Sequence, residues 1–278
     1  MNPFKNDFKT GYKKRPFDSY KSIVDKLDEE TKQKLDRQRT IGIVCIVVFV
    51  FLLVVIQAVT GIGIDKTRSV SGNVFGDKEH VLIECFGDSL TEGIVVSDDH
   101  SDIAETTYPE ELEIKLQQLF SEDEKQYKFQ SLEVKNYGQA GSILQKTSSS
   151  RLSGSADIVL MLYTANNFLS GAEYVDSLET NAAAMIKQGA RVFLLNYPIP
   201  PDSPEKDKLE QANNYIASAA SSMDLQLIDL KTFFDGIMLN GRVNPFSADG
   251  IHLTQEGYIL MGDYVAVAIH DYYYETYQ

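Results

Sequence analysis

The chain has 278 residues, of which 43% are apolar and 24% are charged, a composition that supports one or two folded domains. Its net charge of −14 is uneven, because residues 1–40 hold 11 Lys and Arg against 7 Asp and Glu, and the remainder holds 15 against 33. Phosphate binding requires clusters of Lys and Arg, so this acidic main part argues against nucleic acid as a partner.

The N-terminal part predicts a membrane anchor. Residues 1–40 are polar and lysine-rich and are interpreted as a basic tail. Residues 41–64 read IGIVCIVVFVFLLVVIQAVTGIGI and contain no charged residue. About 20 apolar residues cross a bilayer, so this run predicts a single transmembrane helix. One alternative is a buried helix of a soluble domain, which rarely needs so long a run without charge. The other is a cleaved signal peptide, whose apolar region normally has only about 7–15 residues and no long tail before it.

The basic residues near the apolar run predict its orientation. Five lie before the run and three after it: Lys26, Lys32, Lys34, Arg37 and Arg39, then Lys66, Arg68 and Lys78. Because Lys and Arg are enriched on the cytoplasmic side of membrane helices, we expect the tail to be cytoplasmic and the rest of the chain to be extracytoplasmic. Residues 65–79, with two serines and two glycines, are interpreted as a linker.

From residue 80 to residue 278, short apolar runs rich in β-branched residues alternate with helical patterns. The predicted strands are 81–86, 132–136, 158–163, 192–196 and 225–228. The predicted helices are 109–120, 172–188, 204–223 and 255–273. Strands that are apolar on both sides and alternate with helices indicate a parallel sheet with helices on both faces. In such a sheet, ligands bind at the carboxyl ends of the strands.

Two polar segments contain a serine, an aspartate and a histidine. Ser89 follows the first predicted strand within Gly87-Asp88-Ser89-Leu90, and Asp249 and His252 precede the last predicted helix. A serine hydroxyl becomes nucleophilic when a histidine takes its proton and a carboxylate holds the other nitrogen of that histidine. Since Asp249 and His252 are three residues apart, one tight turn presents both. Gly-Asp-Ser is also ordinary turn composition, and a lone histidine is usually a surface or core residue, so these two segments by themselves make Ser89, Asp249 and His252 candidates for a catalytic triad.

Acyl transfer also needs hydrogen-bond donors for the oxyanion that develops on the carbonyl oxygen. Residues 136–142 read NYGQAGS and follow the second predicted strand, and their glycines allow a backbone N–H to approach a substrate. Residues 164–167 read TANN, follow the third predicted strand and offer an asparagine amide. Both segments are therefore candidates for the donors.

Together these segments resemble the SGNH hydrolases, also called GDSL esterases and lipases. The resemblance covers about residues 80–275 and keeps the family order of its four blocks, at 87–90, 136–141, 164–167 and 249–252. It implies a three-layer α/β/α flavodoxin-like domain with a five-stranded parallel sheet, and an ester hydrolase that needs no cofactor. It also implies Ser89 as nucleophile and an oxyanion hole formed by Ser89, Gly141 and Asn166.

One block departs from the family pattern, which is Gly-x-Asn-Asp. Thr164 stands in place of the glycine and Asn167 in place of the aspartate, whereas the donor Asn166 is kept. We expect a different loop shape and therefore an altered substrate preference. The assignment of the donor to Asn166 or to the neighbouring Asn167 stays open by one residue.

No metal site or disulfide is predicted. Cys45 lies in the apolar run and Cys85 in a predicted buried strand, so they are not expected to pair. The acidic stretch at 98–102 is interpreted as a solvated loop rather than as a metal site.

We expect an extracytoplasmic serine ester hydrolase that removes small acyl groups, acetyl in particular, from carbohydrate or related substrates. The expected partners are a small-molecule or polysaccharide ester and the membrane. The location motivates this substrate class, because an esterase anchored there meets wall polymers. Two alternatives stay open, namely an acyltransferase that uses the same triad and a non-catalytic envelope protein for binding or assembly.

Overall fold

The computed structural model describes residues 74–97, 100–122, 129–145, 155–163, 166, 171–241 and 243–276. All of these belong to one compact unit, Arg68–Gln278. The predicted tail at 1–40, the predicted transmembrane helix at 41–64 and most of the predicted linker lie outside the described residues. Within the described ranges, no helix is both long and apolar enough to cross a membrane.

Five parallel strands form the central sheet, and two short antiparallel strands form a separate hairpin. In chain order the strands are β1 (His80–Gly87), β2 (Ile94–Val96), β3 (Ser101–Ile103), β4 (Ser131–Gly138), β5 (Ile158–Leu162), β6 (Arg191–Leu195) and β7 (Gln226–Ile228). The sheet has the order β4-β1-β5-β6-β7, and β2 pairs with β3. This is the flavodoxin-like order, in which the direction of winding reverses at β1. The carboxyl ends of β1, β4 and β5 therefore meet at one edge.

Helices cover both faces of the sheet. They are α1 (Val74–Asp77), α2 (Ser89–Glu92), α3 (Tyr108–Glu122), α4 (Gly171–Gln188), α5 (Lys206–Met223), α6 (Leu230–Asn240) and α7 (Gln255–Thr276). Alternate residues of β5 show the two layers: Ile158, Leu160 and Leu162 pack in one core with α3, α6 and α7, whereas Val159 and Met161 pack in the other with α4 and α5. Since every residue of β5 is buried, its sequence is continuously apolar.

The predicted three-layer domain and its five parallel strands agree with this architecture. The helices α1, α2 and α6 and the β2–β3 hairpin were not among the predicted elements. The hairpin strands have three residues each, which is too short for a clear alternation of apolar residues. In α1, which falls within the predicted linker, Val74 and Phe75 are buried in the core, so the packed domain extends upstream of residue 80.

Candidate active site

The local structure around Ser89 explains the Gly-Asp-Ser sequence. Ser89 is the first residue of α2, directly after β1, and is only 7% exposed. The Asp88 carboxylate caps α2 by accepting the backbone N–H of Leu90 at 3.2 Å. A side chain at Gly87 would overlap that of Thr91, so glycine is required beneath this turn. The turn therefore presents the Ser89 hydroxyl at the carboxyl edge of the sheet.

His252 lies beside Ser89, although 163 residues separate them in the chain. Its Nε2 is 2.8 Å from Ser89 Oγ, and its Nδ1 is 2.5 Å from Asp249 Oδ2. Asp249 Oδ1 accepts the backbone N–H groups of Ile251 and His252, each at 3.0 Å. One carboxylate thus shapes the turn and orients the imidazole. The arrangement can pass a proton from the serine hydroxyl to the imidazole.

The loop before α7 is held by two buried polar side chains that the sequence reasoning missed. Ser247 donates its N–H to His252 O at 2.8 Å and its hydroxyl to Leu253 O at 2.7 Å. Tyr197, fully buried after β6, donates its hydroxyl to Ile251 O at 2.8 Å. Burial raises the pKa of Tyr197 well above its ordinary value, so the hydroxyl stays protonated. A tyrosine after a strand and a serine in a loop have many ordinary roles, so no pattern in the sequence distinguishes these two.

The electrostatic environment keeps Asp249 ionised. Burial by itself raises the pKa of this carboxyl. The hydrogen bonds from the His252 side chain and from the backbone N–H groups of His252 and Ile251 outweigh burial, so the pKa lies below its ordinary value. An ionised carboxylate favours the tautomer that carries its proton on Nδ1 of His252 and leaves Nε2 free to accept the Ser89 proton.

This lowered pKa predicts a pH dependence of stability. A carboxyl with a folded-state pKa below its unfolded value contributes stability above the unfolded pKa, and that contribution is lost as pH falls through the folded pKa. We therefore expect the free energy of unfolding of the wild type to exceed that of Asp249→Asn by a constant amount above pH about 4 and by a shrinking amount below it. Denaturant titrations of both proteins at several pH values between 3 and 7 measure this difference. A difference that stays constant over the whole range would contradict the assignment.

Gly141 lies in the turn after β4, the strand that pairs with β1. Its φ is +73°, a conformation that favours glycine. Two neighbours attach this turn to the segment before Ser89, since the N–H of Gln139 and the hydroxyl of Ser142 both donate to Gly87 O at 3.1 Å. Among the described residues, the N–H groups of Gly141 and Ser89 have no hydrogen-bond partner. Both are therefore available to a ligand.

Asn166 lies partly buried in a turn after β5, the other neighbour of β1 in the sheet. Within the described parts of the chain, no hydrogen bond joins its side chain to Ser89 or to Gly141, and its neighbours Thr164 and Asn167 lie outside those parts. The structure thus brings Ser89, His252 and Asp249 into contact, and it places Gly141 and Asn166 after the two strands that flank β1.

The described side chains that could bind a metal ion are dispersed. No group of three or more His, Cys, Asp or Glu side chains could hold a metal ion within the described ranges. His100 and Asp102 of the acidic stretch are exposed, and Asp98 and Asp99 lie outside the described residues. Cys85 is a buried free thiol in β1, and Cys45 lies outside the described residues as well.

The strand order, with a serine, a histidine and a carboxylate in contact at the carboxyl edge of the sheet, defines the SGNH type of α/β fold. Residues 85–260 match the GDSL-like Lipase/Acylhydrolase family, and this match spans more than half of the chain. The chain therefore belongs to that family, whose members are ester hydrolases. No sequence among the curated proteins matches it.

Solved structures of esterases share this fold. The aryl esterase of M. smegmatis has 15% sequence identity and a TM-score of 0.54, and the match covers 69% of this chain and 99% of that chain. Est24, a carbohydrate acetylesterase from Sinorhizobium meliloti, has 15% identity and a TM-score of 0.53 over the same shares of the two chains. The acetyl xylan esterase AlAXEase has 18% identity and a TM-score of 0.54, with 68% and 100% covered. At such identities the likeness is one of fold.

Proposed function

We propose that this ester hydrolase works through Ser89, His252 and Asp249. The observation that carries the proposal is the continuous contact from Ser89 Oγ to His252 Nε2 at 2.8 Å and from Nδ1 to Asp249 at 2.5 Å. A nucleophile within hydrogen-bond reach of a base that is oriented by a third group is the arrangement that acyl transfer to serine requires.

In the proposed reaction, Ser89 Oγ attacks the ester carbonyl carbon while His252 Nε2 takes the hydroxyl proton. The N–H groups of Ser89 and Gly141 and the amide of Asn166 hold the oxyanion. The tetrahedral intermediate collapses, His252 gives the proton to the departing alcohol, and an acyl group stays on Ser89. Water, activated by the same histidine, then releases the acid and restores the serine.

The direct test follows the acyl group. Purified full-length protein is mixed with p-nitrophenyl acetate, the reaction is quenched with acid during turnover, and the peptides are analysed by mass spectrometry. We expect hydrolysis above the buffer rate and an acetyl group on Ser89. Hydrolysis with the acetyl group on another residue would contradict the proposed mechanism.

We propose small acyl groups on carbohydrates, acetyl in particular, as the natural substrate class. Two relatives in fold carry the names carbohydrate acetylesterase and acetyl xylan esterase, which supports this choice. The test compares acetate release from O-acetylated polysaccharides with hydrolysis of long-chain p-nitrophenyl esters. A higher kcat/KM for long-chain esters would reject the carbohydrate proposal and leave the esterase proposal intact.

We also propose that residues 41–64 anchor the chain as a single membrane span with its catalytic domain outside the cytoplasm. The absence of charge from this 24-residue run and the excess of basic residues before it support the proposal. Protease added to the outside of intact cells is expected to remove the catalytic domain and to spare residues 1–40. Protection of the catalytic domain would contradict this orientation.

A further inference from the structure

The short helix α2 connects Ser89 to the turn that contains Gly141. Ser89 is its first residue and Glu92 its last, so the two side chains leave opposite ends of a single helical turn. The partly buried Glu92 accepts the backbone N–H of Ala140 through Oε2, at 2.5 Å. Ala140 immediately precedes Gly141. One end of α2 therefore carries the proposed nucleophile, and the other end contacts the loop of a proposed oxyanion donor.

Backbone packing brings α2 and this loop together. A Cβ atom added to Gly138, the last residue of β4, would lie 2.0 Å from the backbone nitrogen of Glu92 and 2.4 Å from the carbonyl carbon of Thr91. Only glycine permits this approach. The chain after Gly138 consequently starts against the end of α2, which puts Ala140 within reach of the Glu92 carboxylate.

Few other contacts hold the loop itself. Gln139, Ala140 and Gly141 are exposed, and a Cβ atom added to Gly141 would meet nothing within 4 Å. Its conformation therefore depends on hydrogen bonds rather than on apolar packing. Gly87 O accepts from Gln139 and Ser142, on either side, and the Glu92 carboxylate holds the peptide between them.

We propose that Glu92 is a positioning residue that fixes the loop 138–142 so that the Gly141 N–H faces the developing oxyanion. This inference rests on the proposed function, since it assigns a purpose to the loop only if Gly141 is a donor. Glu92 acts as a hydrogen-bond acceptor and not through its charge, because a negative charge beside an oxyanion disfavours the transition state. Glutamine, which keeps an acceptor oxygen at the same distance from the backbone, is therefore expected to substitute for it.

The experiment compares Glu92→Ala and Glu92→Gln with wild type, all as full-length protein. Glu133→Ala is the matched control, because Glu133 is an exposed carboxylate on β4 that contacts Lys135 at 3.5 Å. Steady-state hydrolysis of p-nitrophenyl acetate gives kcat and KM, and hydrogen exchange read by mass spectrometry gives the mobility of residues 136–145. Thermal unfolding shows whether each variant keeps its fold.

Loss of one oxyanion-hole donor lowers kcat by about 10²–10³-fold in a well-studied protease, and a misplaced donor costs less. We expect Glu92→Ala to lower kcat about 10–100-fold, to leave KM within about twofold and to speed exchange of the loop. Glu92→Gln and Glu133→Ala should stay within about threefold of wild type in kcat and should leave exchange unchanged.

Several results would overturn the inference. Full activity of Glu92→Ala removes the positioning role, and an equal loss in Glu92→Gln shows that charge rather than the hydrogen bond is needed. A loss of activity without faster exchange of the loop also overturns it. These results are distinct from failure of the proposed function, in which wild-type protein would be no faster than Ser89→Ala and both ideas would be rejected together.

Discussion

Replacement of Ser89 by alanine is expected to lower kcat for p-nitrophenyl acetate by about 10³-fold or more. The reason is the loss of Ser89 Oγ, the atom that attacks the ester carbonyl in the proposed mechanism and that contacts His252 at 2.8 Å. The fold should persist, since the cap of α2 comes from Asp88 and not from the serine hydroxyl. The measurement is steady-state kinetics of both full-length proteins, together with their thermal unfolding temperatures.

A matched control for this variant exists at the opposite edge of the sheet. Ser131, the first residue of β4, is exposed and lies 2.6 Å from His80 Nδ1, so it also forms a serine–histidine contact. Ser131→Ala should retain the wild-type rate, because this pair is far from the carboxyl ends of the strands. If Ser89→Ala kept more than about a tenth of the wild-type kcat while remaining folded, the proposed nucleophile would be wrong.

The second large effect is expected for Asp249→Asn, with a loss of kcat of about 10³–10⁴-fold. Asparagine keeps an oxygen that can accept the N–H groups of Ile251 and His252, so the turn can persist. The amide NH₂ then faces Nδ1 of His252, which favours the tautomer that carries its proton on Nε2. In that tautomer the imidazole cannot accept the proton of Ser89, so catalysis fails although the geometry is retained.

Kinetics and thermal unfolding of Asp249→Asn, measured at pH 7, test this prediction. Asp235→Asn is the control, because Asp235 pairs with Lys231 at 2.7 Å on the surface of α6 and has no part in the proposed reaction. We expect the control to match wild type. A loss of less than about tenfold in Asp249→Asn would mean that the carboxylate does not set the tautomer of His252.

Much of the fold follows from local patterns in the sequence. All five strands of the sheet were predicted near their observed positions. Central strands such as Ile158–Leu162 are buried on both faces and therefore require a continuous apolar run, whereas the edge strand β4 is largely exposed. The long helices α3, α4, α5 and α7 were predicted as well, with ends that shift by a few residues. The identities of Ser89, Asp249 and His252 as candidates also came from sequence, since few residue types perform acyl transfer and the chain contains only four histidines.

Other features depend on contacts between distant segments, and local patterns do not encode them. Residues 89 and 252 meet only in the folded domain with its sheet order β4-β1-β5-β6-β7. The local sequence around either residue does not specify the distance of 2.8 Å between Ser89 Oγ and His252 Nε2. The same holds for the support of the histidine loop by Tyr197 and for the contact of Glu92 with Ala140. Composition and periodicity thus determined which segments are strands, helices and polar turns, because burial selects apolar residues wherever the chain lies. The pairing of polar groups across the domain follows from the packing of the layers and from the strand registers, because a hydrogen bond forms only within a narrow range of distance and angle.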